Sequence, residues 1–185
     1  MKETKISIRY AKALFELAHE QGIEERVKDD MILIKEVCRS NNELVKVLIS
    51  PVIKVAVKDK ILKSIFAEHI HKLSISFISL IVRKGRESLV VEIACDYIAR
   101  YKEFKGIKTA YVKTAKKLDD STRHELIDKL KAITQSQIEL VEEIREELVG
   151  GFILKIDDNQ YDTSILSRLK RLKRDFKDNL YVKGF

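Results

Sequence analysis

Proline is almost absent from this chain, which has one proline and six glycines in 185 residues. With so few obligatory breaks the backbone can run through long helices, so the expectation is a mostly helical protein. Cysteine is scarce too. Cys38 and Cys95 stand far apart, each on the apolar side of a predicted helix, which favours packed thiols over a disulfide or a metal site. The histidines make no better metal case. His69 and His71 are two apart and point to different sides of a helix, while His19 and His124 are isolated. No apolar run approaches the roughly 20 residues that span a bilayer. The longest, residues 77–82, is interrupted by Ser79 and closed by Arg83 and Lys84. The opening Met1-Lys2-Glu3-Thr4-Lys5 has no apolar signal core, which predicts a soluble, non-exported chain.

The machinery of catalysis is also missing. A phosphate-binding loop needs several glycines before a helix, with a lysine at a fixed place, and none occurs. No nucleophile elbow is legible, and no carboxylate stands alone in an apolar segment where burial would tune it for proton transfer. Neither an enzyme nor a cofactor has support in the sequence.

What is present is 45% hydrophobic content, ample for one medium core or two small ones, and a net charge of +7. Such a charge invites a polyanion, but both signs are mixed through most segments, as on solvated helix faces. Apolar positions recur at helical spacing over 6–21, with Gly22 placed to end the run, and again over 23–39, with Ser40-Asn41-Asn42 as a break or cap. A short helix through Leu44, Val47 and Leu48 must stop near Ser50, ahead of Pro51. The next helix turns Val57, Ile61, Leu62, Ile65 and Phe66 inward and spreads Lys54, Lys58, Lys60 and Lys63 over solvent. Residues 73–82 are so uniformly apolar or small that they read as a central helix buried on most sides. Leu89, Val90, Ile93, Ala94, Tyr97, Ile98 and Tyr101 form a further stripe that ends by Gly106.

After Gly106 the character changes. Residues 107–114 concentrate β-branched and aromatic side chains and predict a strand. Asp119-Asp120-Ser121-Thr122 offers cap chemistry for a helix through Leu126, Ile127, Leu130 and Ile133. Strands follow over 138–144 and 152–156, with Gly150-Gly151 as a bend and Asp157-Asp158-Asn159 as a turn. The last helix aligns Ile165, Leu169, Leu172, Phe176 and Leu180, with Asp162, Thr163 or Ser164 as its cap. Acids collect on the strand region (Glu139, Glu142, Glu143, Glu146, Glu147) and bases on this helix (Arg168, Lys170, Arg171, Lys173, Arg174, Lys177), a pattern that partly neutralises itself if the two are neighbours. The fold class read from the pattern is mainly α: a helical bundle over 1–105, then a smaller α/β portion over 106–185.

Three stretches together resemble the delta family of F-type ATP synthases, counterpart of the mitochondrial oligomycin-sensitivity-conferring protein. They are Arg9-Tyr10-Ala11-Lys12-Ala13-Leu14-Phe15-Glu16-Leu17-Ala18; then Leu48-Ile49-Ser50-Pro51-Val52-Ile53, with Lys60-Ile61-Leu62, Phe66 and Gly85-Arg86; and Leu148-Val149-Gly150-Gly151-Phe152-Ile153-Leu154-Lys155-Ile156-Asp157-Asp158, continuing through Tyr161-Asp162-Thr163-Ser164-Ile165. The chain has Asp157-Asp158 where the family often shows Gly-Asp.

The resemblance implies a six-helix amino-terminal bundle that binds the amino terminus of an alpha subunit, and a carboxy-terminal portion that engages the peripheral-stalk b subunits. It implies a non-catalytic stator subunit without cofactor or metal, held peripherally at the cytoplasmic face of the bacterial inner membrane by the complex alone. Tyr10, Ala11, Leu14 and Phe15 on the first helix and Ile78, Ile81 and Val82 on the fifth form the expected alpha contact set, with bundle core as the competing reading for each. Gly150, Gly151 and Phe152 are expected to define the fold. The alternative is a helical RNA-binding or antitermination-like module, drawn from the positive charge and from Arg168, Arg171 and Arg174 at every third position.

Overall fold

A computed structural model describes residues 5–178. The chain divides into two compact units that meet between Lys105 and Gly106. In the first unit six helices follow one another: α1 (Lys5–Glu20), α2 (Glu24–Ser40), α3 (Asn42–Ile49), α4 (Val55–Phe66), α5 (Lys72–Arg83) and α6 (Val90–Phe104), the last preceded by a 3-10 turn at Glu87–Leu89.

Local chemistry fixes their ends. Gly22 adopts φ +65 and closes α1, with the Ile23 amide donating back to the Ala18 carbonyl at 2.9 Å. The Asn41 side chain caps α3 by accepting from the Leu44 amide, and His71 Nδ1 caps α5 by accepting from the Leu73 amide at 3.2 Å. Gly85, again at positive φ, ends α5, and the Arg86 amide donates to the Ile81 carbonyl.

The central member of the bundle is α6 rather than α5. It packs against both α1 and α2, and Val90, Ile93, Ala94, Tyr97, Ile98 and Tyr101 are all buried. The Tyr97 ring lies 5.7 Å from that of Phe15, and its hydroxyl donates to the Glu24 carbonyl at 3.1 Å. Burial pushes the Tyr97 phenol well above its usual range, with the Glu24 charge adding to the effect. By contrast α5, expected to be covered on most sides, leaves Leu80 exposed and Leu73 and Phe77 half-buried. One side of it faces solvent.

Lys58, expected at the surface, and Asp30 are both inside. Lys58 is buried, its ammonium donating to the Leu48 carbonyl at 2.6 Å and to the Glu87 carboxylate. Helical phase explains the reversal: Lys58 shares a face with Leu62 and Ile65, whereas Val57, placed inward by the sequence reading, is exposed. Asp30 on α2 is buried as well. It accepts from the His71 amide at 2.9 Å and the Ser74 hydroxyl at 2.6 Å, tying the start of α5 to α2. Cys38 is a free, buried thiol, pushed above its usual pKa by burial, and Cys95 is free and half-buried.

In the second unit β1 (Ile107–Thr114), α7 (Asp120–Thr134), β2 (Gln137–Ile144), β3 (Phe152–Ile156), β4 (Asn159–Asp162) and α8 (Ile165–Asp178) follow in order. The sheet order is β2-β1-β3-β4, with β1 parallel to β2 and the other pairs antiparallel. β4 is not foreseen by the sequence, where only the turn at Asp157-Asp158-Asn159 is legible. Its four residues are all exposed, so no alternation marks them as a strand. One sheet face forms the core, where Ala110, Val112, Leu154 and Ile156 meet Leu130 of α7, with Leu126, Ile138, Leu140 and Phe152 packed around them.

The acids of β2 find partners within this unit. Glu142 pairs with Arg123 at 2.6 Å, and Glu143 with Lys113 at 3.0 Å and Arg145 at 2.6 Å.

Candidate functional site

α1 and α5 each turn an apolar stripe toward solvent, and the α1–α5 groove is the surface between these two stripes. On α1, Ile6, Tyr10, Ala13 and Leu17 recur at i, i+4, i+7 and i+11 and therefore share one face. Ile6, Ala13 and Leu17 are exposed and Tyr10 is half-buried. On α5, Leu73, Phe77 and Leu80 repeat the i, i+4, i+7 spacing on the side open to solvent. The Tyr10 and Phe77 rings meet edge to face, 6.3 Å between centroids, which joins the two stripes across the groove.

The structure separates the seven positions singled out in the sequence. Tyr10 lines the groove. Ala11, Leu14, Phe15, Ile78, Ile81 and Val82 are buried in the bundle, so in this conformation they hold α1 and α5 in place from beneath. The surface open to a partner lies about one helical phase away, on Ile6, Leu17, Leu73, Phe77 and Leu80. Sequence periodicity found both helices but read α1 as one apolar stripe and α5 as covered on most sides, whereas each carries a buried stripe and an adjacent half-open one.

The second unit presents a different surface. Ile165, Leu169, Leu172 and Phe176 line one face of α8 and all are exposed, Phe176 at 72%. Arg168, Lys170, Arg171, Lys173 and Arg174 cover the rest of the helix, and Leu180 lies outside the described residues. A ladder of bonds sets where α8 begins: Asp162 accepts from the Ser164 amide and hydroxyl and from the Ser167 hydroxyl at 2.6 Å. Those hydroxyls, Ser167 first, hold the Asp162 carboxyl below its usual range.

Gly150, Gly151 and Phe152 brace the same junction. The Gly150 carbonyl accepts from the Ile165 amide at 3.0 Å, and the Phe152 carbonyl accepts from the Thr163 amide at 2.9 Å. Gly151 sits at φ +73, where an added Cβ would fall 2.4 Å from the Thr163 carbonyl oxygen. No other residue fits there without moving backbone.

Comparison with known proteins identifies the family. The family model for the ATP synthase delta (OSCP) subunit matches residues 6–176. The chain belongs to the ATP synthase delta (OSCP) family. It is 36% identical to the ATP synthase subunit delta of Cytophaga hutchinsonii over 180 residues, covering 97% of this chain and 98% of that one. Against the Christiangramia forsetii subunit delta it is 35% identical over 182 residues, 98% of each. Its fold matches a chain in the cryo-EM structure of the Toxoplasma gondii mitochondrial ATP synthase hexamer, with a TM-score of 0.75 at 20% identity, over 94% of this chain and 98% of that one.

Delta-family chains are structural subunits of the ATP synthase rather than catalytic ones, with a stator role in the peripheral stalk, and this chain shares that role. Among its described residues no helix is long and apolar enough to cross a membrane. The RNA-binding alternative finds no support in these comparisons.

Proposed function

We propose that the chain clamps the catalytic head of ATP synthase to the stalk by seating the amino-terminal helix of an alpha subunit in the α1–α5 groove. The observation that carries this is the pair of half-open apolar stripes joined by the Tyr10–Phe77 contact. An amphipathic helix binds by laying apolar residues at i, i+3, i+4 and i+7 into such a groove, and no reactive group is needed. Tyr10, Leu17, Phe77 and Leu80 make the direct contacts, while Ala11, Leu14, Phe15, Ile78, Ile81 and Val82 fix the spacing of the walls. A rigid wall matters because the affinity of such a site depends on how little must be ordered on binding.

In the second unit the exposed apolar face of α8 engages the b subunits of the stalk, and its basic flanks set orientation and speed the encounter. The complex then holds the chain peripherally at the cytoplasmic face of the bacterial inner membrane.

Titration of the full chain with a synthetic peptide of the cognate alpha amino terminus tests the groove. Saturable binding is expected, weakened at least about tenfold by Leu80→Asp and changed little by moderate salt. Absence of saturable binding at micromolar peptide would overturn the reading. Binding that collapses steeply with salt, as phosphate contacts do, would favour a polyanion instead.

A further inference from the structure

The bundle has a second apolar surface, on elements that do not form the groove. It lies at the turn from α3 to α4, where Ile49, Val52, Val55 and Val57 are all exposed, Ile49 at 60% and Val52 at 87%. Pro51 is exposed beside them and Ile53 is half-buried. Scattered exposed apolar residues are ordinary, but four large ones within nine positions form a patch of the kind that marks an interaction surface.

This turn is anchored. Lys58 reaches back from α4 to the Leu48 carbonyl at the end of α3 and also meets Glu87 beside α6, so both flanks of the turn are fixed to the bundle. A presented surface results, since the apolar side chains point outward from a backbone held at both ends.

Basic residues outnumber acids around the patch. Lys46, Lys54 and Lys60 are exposed, and among the described residues none of their ammonium groups pairs with a carboxylate. Each lies two or three residues from an exposed apolar position: Lys46 from Ile49, Lys54 from Val52, Lys60 from Val57. Of the nearby acids Asp59 is engaged with Lys63 at 2.7 Å and Glu87 with Lys58, while Glu43 stands exposed three residues before Lys46 on α3. An apolar centre with an unpaired cationic rim complements a partner that carries acids beside its apolar residues.

We propose that the α3–α4 turn is a second docking surface of the bundle, and that its occupant is an acidic amphipathic segment of another polypeptide in the assembled ATP synthase. The inference rests on the chain's place in that complex but not on the α1–α5 groove. Two contacts on different elements would fix the bundle against rotation about either one, which a single seated helix does not do.

The test uses the full chain in the assembled complex. Maleimide labelling of Val52→Cys is compared between free chain and complex, over the background of native Cys38 and Cys95. Labelling is expected to slow at least about tenfold on assembly, as for a residue at the centre of an interface. Carbodiimide, which joins amines to carboxylates in direct contact, is expected to link Lys54 or Lys60 to an Asp or Glu of another subunit. A Val52→Asp, Lys54→Glu, Lys60→Glu chain is expected to remain folded by circular dichroism and to be retained on the complex about tenfold less well.

Unchanged labelling together with absence of such crosslinks would overturn the proposal. Crosslinks only to a second copy of this chain would also overturn it, as would protection reproduced by anionic vesicles alone. Leu80→Asp and the alpha peptide report on the groove separately. Loss of peptide binding with position 52 still protected would sink the groove reading and leave this one standing.

Discussion

The two units differ in how they treat their apolar stripes. The bundle buries one stripe of every helix and even takes Lys58 and Asp30 inside, each with hydrogen-bond partners. The α/β unit covers only one face of its sheet and leaves the whole apolar face of α8 exposed. Under the proposed function the bundle is the receptor, with its groove formed before a partner arrives, and α8 is the element inserted into whatever receives it. The same residue types are buried in the first unit and exposed on α8, distinguished only by what lies against them.

The sharpest way to break this comparison is through the buried ion pair. Lys58→Ala leaves Glu87 and the Leu48 carbonyl without their partner in a dry site and should cost about 3–5 kcal/mol, measured by urea unfolding. Lys58→Met with Glu87→Leu should recover most of that loss, because no charge is then stranded.

In the second unit Gly151→Ala drives a Cβ against the Thr163 carbonyl at a left-handed φ. It should cost about 2–3 kcal/mol and loosen the start of α8, read by amide exchange at Ile165. Gly150→Ala should cost less, since the Cβ there would meet only the flexible tip of Ile165.

Acid pH separates the units more gently. Burial works against the Glu87 carboxylate, but the Lys58 hydrogen bond, the backbone amide and the Lys58 charge outweigh it and lower its pKa. A depressed carboxylate contributes stability that is present above its unfolded value and lost as pH falls through the folded one. The urea midpoint of the bundle should therefore drop in acid, and Glu87→Gln should flatten that dependence. Asp119, held down to about 2 by Ser121 and by Thr122, should keep capping α7 until pH approaches that value.

The smallest effect on stability is expected from α8. Leu172→Ser and Phe176→Ser remove side chains that are already exposed and should change stability by no more than about 0.5 kcal/mol. Retention of the chain on the stalk should nevertheless fall. A large loss of stability instead would mean that α8 is packed in the free chain.

Much of this was legible in the sequence because it is local. Gly22, Asn41 and Gly106 stand where helices end or begin, and β1 and β3 have the bounds that their β-branched runs predict. The Gly150-Gly151 pair was visible as a bend, though not the close approach to Thr163 that makes Gly151 obligatory. Lys58 and Asp30 were missed because a charged residue looks alike inside and outside a helix until its partners are known. Their hydrogen-bond partners lie 10 to 44 residues away.

By itself, the sequence determined the helical class, the change of character at Gly106 and the family. Spacing, capping and turn chemistry act over a few residues, and the family's motifs are strings of neighbours. Only the tertiary structure decided which side of α5 stays open, that α8 shows its apolar face, and that a lysine belongs in the bundle interior. Each of those depends on which residues the fold brings against a given face, and helical phase alone leaves that choice undetermined.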